Sequence, residues 1–220
     1  MREFKRITLL CGHYGSGKTN VAVNLALHLS RTRSRVAVAD LDIVNPYFRT
    51  KDSREEFDHA GIRLICSEYA NTNVDIPALP PDMYAVTDNP DLTAVIDVGG
   101  DDRGALALGR ISEAILREQN YEMLAVINAS RPLTRTAEDT AEVLREIEAA
   151  CGMKFTGLVN NTNLGRQTDA EVVLNSVSYA ESVSDEMKIP VVLTTVPAEI
   201  YPQLQGKIDN LFPLELQKKL

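Results

Sequence analysis

Short apolar and β-branched runs recur at 7–11, 35–39, 62–66, 94–98, 123–128, 156–160 and 191–195, with helix-period patterns between them. That alternation is the signature of βαβ units. It predicts an α/β fold with a mostly parallel central sheet of about seven strands and helices on both faces. Val21, Leu25 and Leu29 mark one helical face; Val172, Ser176, Tyr179, Val183 and Met187 mark another at spacings of a turn. Both read as stripes packed on the sheet. Residues 71–91 carry little periodicity and contain Pro77, Pro80, Pro81 and Pro90, so they read as a loop with at most a short helix. A connection of that length either faces a partner or simply runs over the surface. In the tail, Pro213 among Leu211, Phe212, Leu214 and Leu216 would interrupt a membrane-lying helix, leaving packing against the sheet edge as the reading.

At 220 residues, with 44% hydrophobic and 25% charged positions, the chain fits one globular domain spanning 1–220. A formal charge of −8 disfavours nucleic acid and anionic membranes, which require a basic face. The basic run at Arg31, Arg33 and Arg35 reads as a solvated helix-to-strand turn. Cys11, Cys66 and Cys151 lie far apart without C-x-x-C spacing, so buried free thiols are expected. The apolar run at 7–11 is too short for a signal-peptide core, and no stretch is long and apolar enough to span a membrane, so a cytoplasmic location is expected.

The segment Gly12-His13-Tyr14-Gly15-Ser16-Gly17-Lys18-Thr19 satisfies G-x-x-x-x-G-K-[ST] directly after an apolar strand and directly before a helix. The glycines let backbone N–H groups turn inward on an anion, and the helix start adds a positive dipole end. Lys18 brings charge to the outer phosphates, and Thr19 brings a hydroxyl to Mg²⁺. Carboxylates for metal and attacking water stand at two strand ends, Asp40-Leu-Asp42 and Asp97. Asp97 is followed by Val-Gly-Gly100, a turn able to sense a terminal phosphate.

With these motifs the chain resembles the MinD/ParA and nitrogenase iron protein class of P-loop ATPases. The resemblance also covers the string from Thr19 and Asn20 to Ala26, the strand ending Asp40-Leu-Asp42, and Gly157-Leu-Val-Asn160-Asn161. It implies ATP and Mg²⁺ as ligands, with Asp42 positioning the hydrolytic water, Asp97 contacting the metal and Asp40 beside the metal shell. It also implies that Asn160 or Asn161, and the loop containing Pro197 and Glu199, border the adenine. GTPases related to the class read guanine with Asn-Lys-x-Asp. Here the string is Asn160-Asn161-Thr162-Asn163, which lacks the final acid and favours ATP.

Members of the class usually carry G-K-G-G-x-G-K-T, whose first lysine reaches a partner's phosphates across a dimer. His13 and Tyr14 replace that lysine and the next glycine. The leading expectation is a switch in which ATP binding and hydrolysis change affinity for a client protein, as in metallochaperones, cofactor-insertion ATPases and partitioning proteins, with a homodimer as one possible form. The alternative is a small-molecule kinase or ligase of the dethiobiotin synthetase type. That reading needs basic side chains near the phosphate loop, and no lysine stands at the Asp40-Leu-Asp42 strand end. The cysteines do not reproduce the cluster-ligand segments of the nitrogenase iron protein, although an intersubunit site using Cys66 or Cys151 stays open.

Overall fold

The structure is a computed structural model and describes residues 2–41, 53–66, 81–100 and 102–216. Its strands are β1 (Ile7–Cys11), β2 (Val36–Leu41), β3 (Arg63–Ile65), β4 (Thr93–Val98), β5 (Tyr121–Ile127), β6 (Gly157–Asn160), β7 (Val191–Pro197) and β8 (Leu211–Leu214). They form one sheet in the order β3-β2-β4-β1-β5-β6-β7-β8, and every pair is parallel. Seven strands fall on the runs expected from the sequence. The eighth is the tail, which joins the sheet margin as a strand.

Residues of β1, β2 and β4 are buried along their whole length. Parallel strands covered on both faces must be apolar at nearly every position, which is why these runs are continuous rather than alternating. Alternate residues feed two cores. Ile7, Leu9, Ile96 and Met123 pack with Leu108, Leu144 and Val183 on one face. Leu10, Val38, Val95 and Leu124 pack with Val21, Leu25, Leu29 and Phe57 on the other. Helices α1 (Lys18–Ser30) and α2 (Arg54–Ala60) therefore cover the second face. The first face is covered by α3 (Tyr84–Asp88), α4 (Asp102–Gly109), α5 (Ser112–Glu118), α6 (Ala137–Cys151) and, beyond α7 (Ala170–Asn175), by α8 (Val177–Met187). Leu25 is fully buried, and truncating it to alanine would cost about 2–5 kcal/mol.

Two local expectations change. The stripe from Val172 to Met187 does not run along one helix. Ser176 ends α7 and starts α8, its hydroxyl donating to the Val173 carbonyl (2.7 Å), and Val173 rather than Val172 is the buried residue. In 71–91, residues 81–83 form a 3₁₀ turn leading into α3, while 67–80 lie outside the described residues. The basic run is the expected turn between α1 and β2, with Arg31 and Arg35 exposed.

Pro213 is accommodated because β8 is an edge strand. Its backbone ladder to β7 uses the carbonyls of Asn210 and Leu214, which accept from Thr194 and Ala198 (3.0 Å each), so the missing N–H falls on the unpaired side. The strand order also fixes where a ligand would sit. The chain leaves β1 toward β2 and leaves β5 toward β6, in opposite directions across the sheet, so a crevice opens at the carboxyl ends of β1 and β5.

Candidate functional site

The 12–17 loop fills that crevice. Gly12 has φ +143° and Gly17 φ +91°, conformations that L side chains rarely adopt. A Cβ on Gly12 would press on the Val126 carbonyl oxygen, and one on Gly17 on the Asn161 amide. The first helical residue, Lys18, is buried, and its Nζ donates to the carbonyls of Gly12 (3.1 Å) and His13 (3.3 Å). The ammonium is thereby held at the mouth of the loop. Thr19 is buried beside it, Asn20 is half-buried, and Ser16 is buried with its Oγ lacking a hydrogen-bond partner among the described residues. His13 is half-buried with Nδ1 against the Tyr14 carbonyl (2.9 Å), while Tyr14 is exposed.

Asp40 and Asp97 are register partners on neighbouring strands, and Asp97 is also the partner of Leu10. Both carboxylates are buried, on the α1 face of the sheet. Gly100 closes over the loop: a Cβ there would lie 2.7 Å from the Tyr14 nitrogen and 2.8 Å from Lys18 Nζ. Just before Gly12, burial pushes the Cys11 thiol well above its usual range, with Cys151 and Asp97 adding to the effect and Lys18 opposing it. Cys151 is likewise buried, in the same core as Cys11, and so is not a surface thiol. Asp42 lies outside the described residues.

On the other side of the crevice the asparagines serve the protein itself. Asn160 donates from Nδ2 to Ser176 Oγ (2.8 Å) and accepts from the Thr162 N–H (3.2 Å). Asn161 donates to the Ser16 carbonyl (2.6 Å) and accepts from Thr195 Oγ1 (2.5 Å), tying the phosphate loop to β6 and β7. Asn163 folds into its own turn, accepting from the Gly165 N–H (3.1 Å) and donating to the Asn161 carbonyl (2.7 Å). Pro197 ends β7, and Glu199 projects into solvent.

Residues 7–187 match the family model described as the CobQ/CobB/MinD/ParA nucleotide binding domain. The chain belongs to that family. It is a P-loop nucleotide-binding domain of the MinD/ParA kind, and its fold is shared more widely. Cell division protein FtsY from Thermotoga maritima is similar with a TM-score of 0.58 at 18% identity, covering 89% of this chain and 62% of that one. FtsY from Mycoplasma mycoides gives 0.56 at 16% identity, covering 86% and 59%. The signal recognition particle 54 kDa protein from Aeropyrum pernix, solved in complex with GDP, gives 0.54 at 15% identity, covering 88% and 42%. At such identities the likeness is one of fold alone, and the chain spans less than two thirds of the length of these proteins. No curated protein matches the sequence.

Two residues of this MinD/ParA-type domain escape sequence motifs. Asn128 follows β5 and is fully buried; its Oδ1 accepts from the Ser130 N–H (2.9 Å), and its Nδ2 has no hydrogen-bond partner among the described residues. Arg131, in the turn that Asn128 organises, lies across Gly15: a Cβ on Gly15 would be 3.6 Å from Arg131 Nε. Only the strand order, which puts β5 beside β1, could have drawn attention to that turn. No helix among the described residues is long and apolar enough to cross a membrane.

Proposed function

We propose that residues 1–220 act as one Mg²⁺-ATP-dependent switch that hydrolyses ATP and changes its affinity for a client protein with the state of its nucleotide. The observation that carries this reading is the convergence at one crevice of a glycine loop with positive φ at Gly12, Gly15 and Gly17, a buried ammonium, a buried threonine and two buried carboxylates in register. Gly12 to Thr19 would hold the phosphates, with Lys18 against the outer ones. Gly100, packed on Lys18 and Tyr14, is placed to feel whether a terminal phosphate is present. No cluster of three His, Cys, Asp or Glu exists among the described residues. Mg²⁺ fits nonetheless, because it takes oxygen ligands and shares its shell with substrate phosphates and water, so the Thr19 hydroxyl and the Asp97 carboxylate, with Asp40 alongside, are suitable donors. When bound, the ion would neutralise charge developing on the phosphates.

Asp42 is assigned the positioning of the attacking water, and Asn160, Asn161, Pro197 and Glu199 the border of the base. With their side-chain amides engaged by the protein, Asn160 and Asn161 would shape the base-side wall chiefly through backbone and packing. ATP is favoured over GTP because Asn163 offers no carboxylate to a guanine and its amide is committed to its own turn.

Calorimetry and phosphate release test this reading together. Lys18→Ala should abolish tight Mg²⁺-ATP binding, whereas Asp42→Asn should keep binding and lower turnover by about 10²–10⁴. Unchanged affinity in Lys18→Ala would remove the phosphate assignment. The kinase or ligase alternative gains one observation, the basic Arg131 beside the loop. Phosphate release that rises only when a small carboxylic acid is added would decide for it.

A further inference from the structure

We propose that Arg131 is a phosphate-binding residue of this same site, supplying in cis a guanidinium to the outer phosphates of the bound nucleoside triphosphate. The inference rests on the nucleotide reading above and adds a residue from outside the phosphate-loop motif.

Position comes first. Arg131 Nε, Cδ and Cζ lie 3.6, 3.8 and 3.9 Å from where a Cβ of Gly15 would stand. Gly15 has no side chain to stand between the guanidinium and the backbone of the loop. The turn carrying Arg131 is held in place. Its N–H donates to the Asn128 carbonyl (3.2 Å), its carbonyl accepts from the Thr134 N–H (3.2 Å), and Thr134 Oγ1 donates to the Asn128 carbonyl (2.9 Å). Pro132 follows, and its ring restricts the preceding Arg131 to the extended backbone it adopts (φ −101°, ψ 139°).

Charge comes second. Seven other arginines form ion pairs with carboxylates. Arg131 has neither an ion pair nor a side-chain hydrogen bond among the described residues, although it stands exposed at the rim of the crevice. An uncommitted guanidinium beside a loop built for anions is poised for a polyanionic ligand. Its planar fork matches phosphate oxygens, and it remains charged at any physiological pH. His13, in contrast, has Nδ1 engaged against the Tyr14 carbonyl (2.9 Å). Arg131 thus offers the loop a second permanent cation besides Lys18.

The test titrates Mg²⁺-ATP, Mg²⁺-ADP and AMP against the wild-type chain, Lys18→Ala, Arg131→Ala and Arg131→Lys, with the melting temperature of each nucleotide-free protein measured alongside. Arg131→Ala should weaken ATP binding on the order of 10–100-fold, ADP less and AMP not at all. The salt dependence of ATP affinity should flatten, the nucleotide-free melting temperature should not move, and Arg131→Lys should recover part of the loss. Loss of ATP affinity in Lys18→Ala together with wild-type affinity in Arg131→Ala would overturn this assignment alone. An Arg131→Ala protein that loses ATP affinity and melting temperature together would make the role structural and also overturn it. Unchanged binding with turnover that rises with protein concentration in the wild type only would put the guanidinium in trans, against the cis assignment. Absence of any nucleotide binding by the wild type would remove both readings.

Discussion

The two walls of the crevice are built on different principles. On the phosphate side, the loop from Gly12 to Gly17 owes its shape to backbone conformations and close approaches that side chains would forbid, and it directs its chemistry outward through Lys18 and Thr19. On the side proposed for the base, Asn160, Asn161 and Asn163 turn their amides inward, and the wall is held by side-chain hydrogen bonds to Ser176, Thr195 and the Ser16 carbonyl. An anion can be recognised by backbone N–H groups, whose positions follow from a short motif. A base at the proposed site would be bordered by whatever the neighbouring strands bring there, and a motif says little about that. Asn161 joins the two walls by donating to the loop it faces.

The sharpest way to break this contrast is Gly17→Ala. At φ +91°, with the Asn161 amide where the methyl group would go, the change should abolish nucleotide binding and cost about 1–3 kcal/mol of stability, read by calorimetry and denaturant unfolding. Next is Asn161→Ala, which strands the Ser16 carbonyl and leaves the Thr195 hydroxyl only its longer bond to the Asn160 carbonyl (3.3 Å). It should cost about 1–3 kcal/mol in unfolding yet lower ATP affinity far less than Lys18→Ala does. Equal affinity losses in the two proteins would show that the base wall binds ligand through its amides after all. A smaller effect is expected in nucleotide choice, with ADP outcompeting GDP in a displacement assay. Equal competition would mean that Asn163 plays no part in selection.

The smallest expected effect lies away from both walls. His28 packs edge-on against Phe4 and Phe212, in a groove also lined by Arg31, Glu56, His59 and Glu215. Burial, then the charge of Arg31, lowers its pKa from the ordinary 6.5. The unfolded chain therefore takes up a proton at this position at a higher pH than the folded one. Stability from the neutral ring is present above about pH 6.5 and declines as the pH falls below it, toward the lower folded value. Unfolding midpoints across pH 5 to 8 should show this slope, flattened in His28→Phe, with nucleotide affinity unaffected by the substitution.

Much of this organisation is legible in the residues, for reasons that differ from element to element. Strands β1, β4 and β5 announce themselves because burial on both faces demands unbroken apolar runs. The phosphate loop is legible because its chemistry depends on backbone conformations that only glycine adopts freely. The short β8 is not, since four residues with a proline do not read as a strand until the position of the edge is known. Ser176 breaks a helical stripe that periodicity alone would carry through, because its hydroxyl is engaged by Asn160 and by the Val173 carbonyl. Arg131 stands far from the motif in sequence, and the sheet order that brings its turn to Gly15 is a tertiary fact.

Pro213 has a consequence beyond its own strand. A parallel sheet with two free margins invites further strands, from another copy or from an unfolding neighbour, and such growth ends in insoluble material. Here one margin is a strand of only three residues, and the other carries an imino acid that cannot donate to an incoming chain. The sheet is thus discouraged from propagating in either direction.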